Sequence, residues 1–222
     1  MLLALAVFAA LPAIAPARSE PRTVAHPIAV VHGSVPLRER PNGRALAWAS
    51  ERTEFGSPRV LSVAARRGRW LGVIATELPN GRLAWVNRDN AAISLRRTAY
   101  SLHADRSGRW LELRRGTRRV GRITVGIGAS GSETPTGRYA VTDKLAGPSY
   151  SASYGCCILA LSGHQEHLPA GWRGGDRLAI HGTDRTSTVG EADSAGCLRA
   201  ADADMHVLMR RVPLGTPVFI RD

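Results

Sequence analysis

Two short stretches of the chain carry side chains that could perform nucleophilic chemistry together. His181-Gly182-Thr183 follows an apolar run, and sixteen residues after His181 comes Cys197, within the polar stretch DSAGCLRAAD. A thiol attacks a carbonyl only as its thiolate, and an ordinary cysteine has a pKa of about 8.5. Because an adjacent imidazole can accept the thiol proton, this pair predicts a cysteine nucleophile with His181 as its general base.

The residues next to Cys197 predict that the pKa of its thiol is lowered. A helix expected to begin at Ala200 would direct its N-terminal N–H groups and its positive dipole end towards the sulfur, and Arg199 adds positive charge. Gly196 permits a tight turn, so the N–H groups of Gly196 and Cys197 are predicted to form an oxyanion hole. Considered alone, such a cysteine would more often be a buried packing residue.

These motifs resemble the signature of the L,D-transpeptidase family, the YkuD-like catalytic domain of bacterial cell-wall enzymes. The resemblance begins with His181-Gly182-Thr183 and continues in Ser194-Ala195-Gly196-Cys197-Leu198-Arg199. It is supported by TPTGRY at 134–139 and by PLGTPV at 213–218, after the predicted helix. The similar region covers residues 97 to 222.

The resemblance implies acyl transfer between peptidoglycan stem peptides. Cys197 would attack the carbonyl between an L-centre and a D-centre of a donor tetrapeptide, releasing terminal D-alanine and leaving a thioester. His181 would act first as base and then as acid. The amine of an acceptor stem would resolve the thioester and form a 3-3 cross-link, without a cofactor. Resolution by water would instead make an L,D-carboxypeptidase or endopeptidase, and a non-catalytic wall-binding protein is a third alternative.

The resemblance also implies roles for the side chains around this pair. Arg199 would position a substrate carboxylate or support the cysteine loop, and Ser194 would support that loop by hydrogen bonding. The further substrate-binding or loop-supporting residues that it implies are Gly182, Thr183, Tyr154 and His164. One departure is Ala195, since many members have histidine immediately before the Gly-Cys pair. His181 is therefore expected to be the only imidazole of the catalytic dyad.

The remaining cysteines and histidines leave other interpretations open. Cys156 and Cys157 are neighbours, and a bond between neighbouring cysteines strains the peptide that joins them. We therefore expect them to pack along the cleft wall, with a redox or accessory role as the alternative. His164 and His167 have an H-x-x-H spacing, but a helix and a carboxylate partner are both lacking, which argues against zinc. We expect no metal site.

The second part of the chain, residues 96–222, must position these side chains, and its pattern predicts a mostly β domain. Strands are expected between turn residues at 99–104, 110–114, 118–126, 138–142 and 176–180. Only 200–211 has the pattern of a helix, with apolar residues three and four apart, aspartates in the first turn and arginines at the end. We predict a YkuD-like, β-rich catalytic domain with one helix after the catalytic cysteine.

Residues 28–95 predict a small β-barrel of their own. Strands are expected at 28–31, 35–38, 60–65, 70–74 and 82–86, with a hairpin connection around Gly68. The segments VPLRERP, GRWLGV and GRLAWVN resemble bacterial SH3-like domains. Their usual role is binding cell-wall peptide, and a spacer is the alternative.

The start of the chain predicts export, and its net charge indicates anionic partners. The opening MLLALAVFAALPAIAPA has no charged side chain and ends in small residues. This predicts a signal peptide over 1–17 and a leader over 18–27, with a retained anchor as the alternative. No later segment has the roughly 18 apolar residues that a membrane helix needs. The net charge of +12 favours anionic cell-wall polymers, while nucleic-acid recognition motifs are lacking. We expect a secreted, wall-associated protein.

Overall fold

The computed structural model describes residues 24–222. The predicted signal peptide and most of the predicted leader lie outside the described residues. Two β-sheets make up most of the described chain, and one α-helix packs on the second sheet, which confirms the predicted mostly β fold. None of the helices between residues 24 and 222 combines the length and the apolar composition of a membrane-spanning segment.

The first sheet spans residues 26–98 and buries a small apolar core of its own. Its strands are β1 (His26–Val31), β2 (Val35–Arg38), β3 (Ala45–Ala49), β4 (Val60–Arg67), β5 (Trp70–Ile74), β6 (Ala84–Asn87) and β7 (Ile93–Thr98). Their spatial order is β3-β2-β6-β5-β4-β1-β7, so β3 and β7 are its edges. The sequence predicted neither edge, and the predicted boundary between residues 95 and 96 falls inside β7. The SH3-like relationship stays a prediction.

The second sheet contains eight strands and carries the predicted chemistry. The strands that follow are β8 (Tyr100–Asp105), β9 (Trp110–Arg115), β10 (Arg118–Thr124), β11 (Ile127–Gly128), β12 (Gly137–Ala146), β13 (Cys157–His164), β14 (Arg177–His181), β15 (Ala192–Ser194), β16 (Leu198–Arg199) and β17 (Pro217–Arg221). Eight of them lie in the order β10-β9-β8-β17-β12-β13-β14-β16, and β11 pairs separately with β15. The sequence missed β13, because this strand is buried almost throughout and shows no alternation of polar and apolar residues.

Helix α1 (Asp202–Arg211) packs on the second sheet through Met205 and Leu208, both of which are buried. Aspartates in its first turn and arginines in its last turn stabilise the helix, because their charges are opposite in sign to the nearest end of the helix dipole. The helix begins two residues later than the predicted start at Ala200. The reason is that the Ala200 N–H donates to the His181 carbonyl oxygen at 2.9 Å, which continues the pairing of β14 with β16.

Polar side chains join the two sheets directly. The His164 ring on β13 places Nε2 2.8 Å from the Thr76 carbonyl oxygen, and Asn80 Nδ2 donates to the His164 carbonyl oxygen at 2.7 Å. Arg138 on β12 donates through Nη2 to the Val63 carbonyl oxygen at 3.1 Å. The first sheet therefore lies against β12 and β13 of the second sheet, next to β14, the strand that carries His181.

Candidate active site

Parallel pairing between β14 and β16 brings the two chemical stretches together. Ile180 lies opposite Leu198 and His181 lies opposite Arg199, so Cys197, directly before β16, lies beside the strand that carries His181. Residues two apart on a strand point to the same face. Because Ile180 is fully buried in the core, His181 and Cys197 share the other face, where both line one cavity.

Two cavities meet at Cys197. The larger, of about 230 Å³, is mainly apolar and is lined by Phe55, Leu145, Tyr150, Tyr154, Ile158, Ala160, Gly175, Arg177, Leu178, Ala179 and Cys197. The smaller, of about 90 Å³, is lined by Ser153, Tyr154, Leu168, Trp172, Gly175, Arg177, Leu178, His181, Ser194, Ala195, Cys197 and Arg199. Because the two share Cys197 and its neighbours, a chain bound in both would cross the sulfur.

The imidazole of His181 is held in the form that can accept a proton. Its Nδ1 lies 2.6 Å from the carbonyl oxygen of Gly182, which can only accept, so Nδ1 carries the hydrogen and Nε2 is the free base. Tyr154 stands edge-on to the ring, with the ring centroids 4.8 Å apart. Burial lowers the pKa of His181 to about 4, against the opposing effect of the Gly182 carbonyl. The ring is therefore neutral at physiological pH.

The thiol of Cys197 differs from the sequence-based expectation. The residue is partly exposed to the cleft, yet burial is the largest influence and raises the pKa of its thiol, although the Ala179 backbone and Arg199 act in the opposite direction. The expectation of a lowered pKa is wrong here, because a strand rather than a helix follows the cysteine and the neighbouring His181 is uncharged. In the resting site both partners of the pair are neutral.

Ser194 closes the turn that presents the nucleophile. Its Oγ donates to the Cys197 carbonyl oxygen at 2.6 Å and accepts from the Gly196 N–H at 3.1 Å. This contact occupies the Gly196 N–H, which the sequence had assigned to an oxyanion hole. Of that predicted pair, only the Cys197 N–H is left for the role.

Gln165 is a buried residue that the sequence did not single out, and it supports this turn from behind. Its Nε2 lies 3.2 Å from the Ala195 carbonyl oxygen and 3.0 Å from the Ser132 carbonyl oxygen. Gly196 has φ +113°, and a Cβ there would lie 2.1 Å from Gln165 Nε2. Both the backbone conformation and the amide contact therefore require glycine. No local pattern predicts this contact, since Gln165 is distant in sequence from Cys197.

Asp202 connects the histidine strand to the turn before β13. Its Oδ1 accepts from the Thr183 N–H at 3.2 Å, and its Oδ2 accepts from the Cys156 N–H at 3.0 Å. A Cβ on Gly182 would lie 2.1 Å from Asp202 Oδ1, which explains the glycine after His181. The sequence identified Asp202 only as an acidic residue in the first helical turn. The position of Asp202 shortly after the cysteine motif is the sequence signal that could have indicated its role in supporting the site.

Arg199 lines the smaller cavity together with His181 and Cys197. Its Nη1 lies 3.1 Å from Asp193 Oδ2, so its charge has an acidic partner already. The backbone of Arg199 exchanges hydrogen bonds of 3.0 and 2.7 Å with Gly126, which fixes β16 beside the site. The position is compatible with both predicted roles, support of the loop and contact with a carboxylate.

His164 does not belong to the site. Its Nδ1 lies 2.9 Å from Asp176 Oδ2, and its Nε2 contacts the first sheet, so both ring nitrogens are engaged between the sheets. His164 is therefore unavailable to the cleft, contrary to the sequence-based expectation. Within residues 24–222, one group of three side chains brings possible metal-ligand atoms within 4.8 Å of one another, and it consists of Cys156, Cys157 and His206.

Cys156 and Cys157 are joined in a disulfide, which leaves Cys197 as the free cysteine. The expectation that neighbouring cysteines stay unbonded is wrong for this structure. Gly155, with φ +56°, turns the chain immediately before the pair, and a Cβ there would lie 2.2 Å from Asp202 Oδ1. The disulfide thus lies in the turn that places Tyr154 against His181.

Comparison with known proteins gives a consistent assignment. The family model of the L,D-transpeptidase catalytic domain, YkuD, matches residues 99–220. The L,D-transpeptidase YkuD of Bacillus licheniformis is 30% identical over 121 residues, which cover 54% of this chain and 65% of the relative. The L,D-transpeptidase YqjB of Bacillus subtilis is 32% identical over 111 residues, 46% of this chain and 60% of the relative. Both names are provisional assignments, and this chain spans less than two thirds of either protein.

Solved structures of lower identity are also similar. An L,D-transpeptidase from Mycobacterium smegmatis is 15% identical, with 90% of this chain and 92% of that chain covered and a TM-score of 0.47. L,D-transpeptidase 3 from Mycobacterium tuberculosis, in complex with a faropenem-derived adduct, is 14% identical, with 63% and 73% covered and a TM-score of 0.45.

Proposed function

The chain belongs to the family of YkuD L,D-transpeptidase catalytic domains, and from this we propose that it is a peptidoglycan L,D-transpeptidase. It would form 3-3 cross-links in the bacterial cell wall through a thioester on Cys197. The observation that carries this proposal is the pairing of β14 with β16, which sets a free thiol beside a neutral imidazole whose Nε2 can accept a proton. A pure wall-binding protein has no use for this arrangement.

The neutral pair determines the order of events in the proposed mechanism. As Cys197 Sγ attacks the carbonyl carbon, His181 Nε2 takes the thiol proton, so no ion pair is formed in advance. The tetrahedral oxyanion accepts a hydrogen bond from the Cys197 N–H. The C–N bond then breaks, His181 returns the proton to the leaving amine, and D-alanine departs. The acceptor amine attacks the thioester by the same steps in reverse, and the thiol is restored.

The two cavities suit the two sides of the scissile bond. The larger, mainly apolar cavity would hold the acyl part of the donor stem. The smaller cavity, which contains His181 and Arg199, would hold the departing D-alanine and afterwards the acceptor amine. Arg199 would assist by contact with the carboxylate of D-alanine. The leaving group and the acceptor must share one side of the carbonyl because the second half-reaction reverses the first.

The proposed substrate implies a position outside the cytoplasm, in contact with the wall. A net charge of +12 would favour binding to anionic wall polymers. This attraction is long-range and weakens with salt, since exposed charges are screened over roughly 10 Å at 0.1 M ionic strength.

The test is mass analysis of the products from a purified disaccharide tetrapeptide. The proposal expects cross-linked dimers that have lost one D-alanine, formed by the unchanged protein and by the His167→Ala control, in which an exposed histidine outside the pair is removed. Cys197→Ala and His181→Ala should form none. Formation of tripeptide without dimer would show that the protein hydrolyses the donor stem and does not cross-link it. Turnover by a folded Cys197→Ala protein would refute the thioester mechanism.

A further inference from the structure

One wall of the larger cavity comes from the first part of the chain. Residues 52–58, here called the Phe55 loop, lie between β3 and β4 of the first sheet. Phe55 lines the cavity of about 230 Å³ together with Tyr150 and Cys197. Its ring stands edge-on to that of Tyr150, with centroids 6.0 Å apart. The first sheet therefore supplies an aromatic side chain to the same cavity as the nucleophile.

The Phe55 loop is held in shape by its own hydrogen bonds. The Thr53 N–H donates to the Ser57 carbonyl oxygen at 2.9 Å, and the Gly56 N–H donates to the Thr53 carbonyl oxygen at 3.0 Å. Thr53 Oγ1 accepts from the Ser57 N–H at 3.1 Å, and Arg52 Nη1 donates to the Gly56 carbonyl oxygen at 2.8 Å. A loop with this many internal contacts presents Phe55 in a fixed position.

The loop is also bound to the strands that carry the active site. Glu54 forms an ion pair with Arg177, and Thr53 Oγ1 donates to the buried carboxylate of Asp143. Arg177 begins β14, and its carbonyl oxygen lies 3.9 Å from Cys197 Sγ. The guanidinium of Arg177 lies 5.8 Å from the centre of the Phe55 ring. Since Glu54 already balances this charge, Arg177 anchors the loop and is not a free anion site.

The chemistry of the cavity defines what it can hold. Apart from the paired guanidinium of Arg177, two tyrosine hydroxyl groups and the Cys197 thiol, its lining side chains are aliphatic or aromatic. Such a surface suits an uncharged, apolar portion of a ligand. We infer that Phe55 contacts the acyl donor and determines its specificity, so that the first sheet completes the active site. This inference rests on the proposed function, because the acyl part of a stem peptide is the occupant that the function requires.

The experiment compares Phe55→Ala with the unchanged protein on the disaccharide tetrapeptide, with Trp48→Ala as the matched control. Trp48 is an exposed aromatic residue of the first sheet, 61% accessible and not part of the cavity. For Phe55→Ala we expect KM to rise about tenfold, equivalent to about 1.4 kcal/mol, while kcat changes less than about twofold. Trp48→Ala should leave both constants unchanged, and Phe55→Leu, which keeps an apolar side chain but not the ring, should raise KM less than Phe55→Ala does.

Alkylation of Cys197 by iodoacetamide separates donor contact from damage to the site. An unaltered alkylation rate together with a raised KM supports the inference, and an unaltered KM in Phe55→Ala overturns it. If Phe55→Ala also slows alkylation, the test moves to Phe55→Leu, which keeps an apolar side chain in place of the ring. A KM in Phe55→Leu equal to that of the unchanged protein overturns a contact made by the ring. If the unchanged protein does not turn over the tetrapeptide, the proposed function fails. The cavity is then tested by the rate at which imipenem acylates Cys197, and equal rates with and without Phe55 overturn the inference.

Discussion

Alkylation of Cys197 by iodoacetamide should accelerate steeply with pH through the neutral range. Burial raises the pKa of the Cys197 thiol, and it lowers the pKa of His181 to about 4. The thiol is therefore protonated at neutral pH, and the imidazole is uncharged. A preformed thiolate–imidazolium pair would require the reverse order of these two pKa values.

The magnitude follows from the fraction of thiolate. An ordinary cysteine, with a pKa of about 8.5, is about 0.3% thiolate at pH 6 and about 24% at pH 8. Because the pKa of Cys197 lies above its ordinary value, the gain over these two pH units should approach a hundredfold. A preformed ion pair would change the rate by less than about twofold over the same range.

The assay measures the alkylation rate of the protein without substrate between about pH 5.5 and pH 9, a range that includes the ordinary cysteine pKa, and locates the label by peptide mass. Cys156 and Cys157 serve as internal controls, since their disulfide does not react. His181→Ala should change the rate by less than about threefold at each pH, because the neutral ring contributes no charge. A rate that is level between pH 5.5 and 7, and that His181→Ala abolishes, would refute the neutral pair and the mechanism built on it.

Three further predictions concern the turn, the acid limit of stability and the cysteines. Gly196→Ala should remove nearly all turnover and change the alkylation rate of Cys197, since a Cβ at φ +113° would lie 2.1 Å from a buried amide; circular dichroism checks that the sheets persist. Burial would raise the pKa of Glu112, but hydrogen bonds from three arginines outweigh it and lower the pKa to about 2. The stabilisation that ionised Glu112 provides is therefore present above pH 4.5 and lost as the pH falls towards 2. Glu112→Gln should lower the free energy of unfolding at pH 7 by about 2 kcal/mol. The same variant should also weaken the dependence of that free energy on acid pH, measured by urea titrations. A thiol assay should count one reactive cysteine in the native protein and three after reduction in denaturant, and two or more in the native protein would contradict the disulfide between Cys156 and Cys157.

Much of the fold follows from local patterns. Val35–Arg38 and Trp70–Ile74 have the same bounds in the structure as in the prediction, because each lies between clear turn residues. Edge strand Ile93–Thr98 was missed, since its polar residues face solvent and resemble a linker. Buried strand Cys157–His164 was missed for the opposite reason, because burial on both faces removes the alternation.

The site was predictable in its residue types but not in its surroundings. The Cys197 and His181 motifs are local in sequence, whereas the parallel strand pairing that joins them connects separate segments of the chain. Gln165 and Phe55 reach the site through contacts between distant segments, which one sequence does not reveal. The charge state of the pair likewise depends on burial by the assembled fold. A motif identifies the reacting groups, whereas their pKa values depend on what covers them.

Arginines on the edge strands of the two sheets affect whether copies of the protein can associate. An unpaired edge exposes N–H and C=O groups that can add a strand from another molecule. β7 presents Arg96 and Arg97 to solvent along one such edge, and β10 presents Arg118, Arg119 and Arg122 along another. If two copies joined edge to edge, these guanidinium groups would be brought together and would repel one another. The same charge that suits an anionic wall therefore also opposes self-assembly by strand addition.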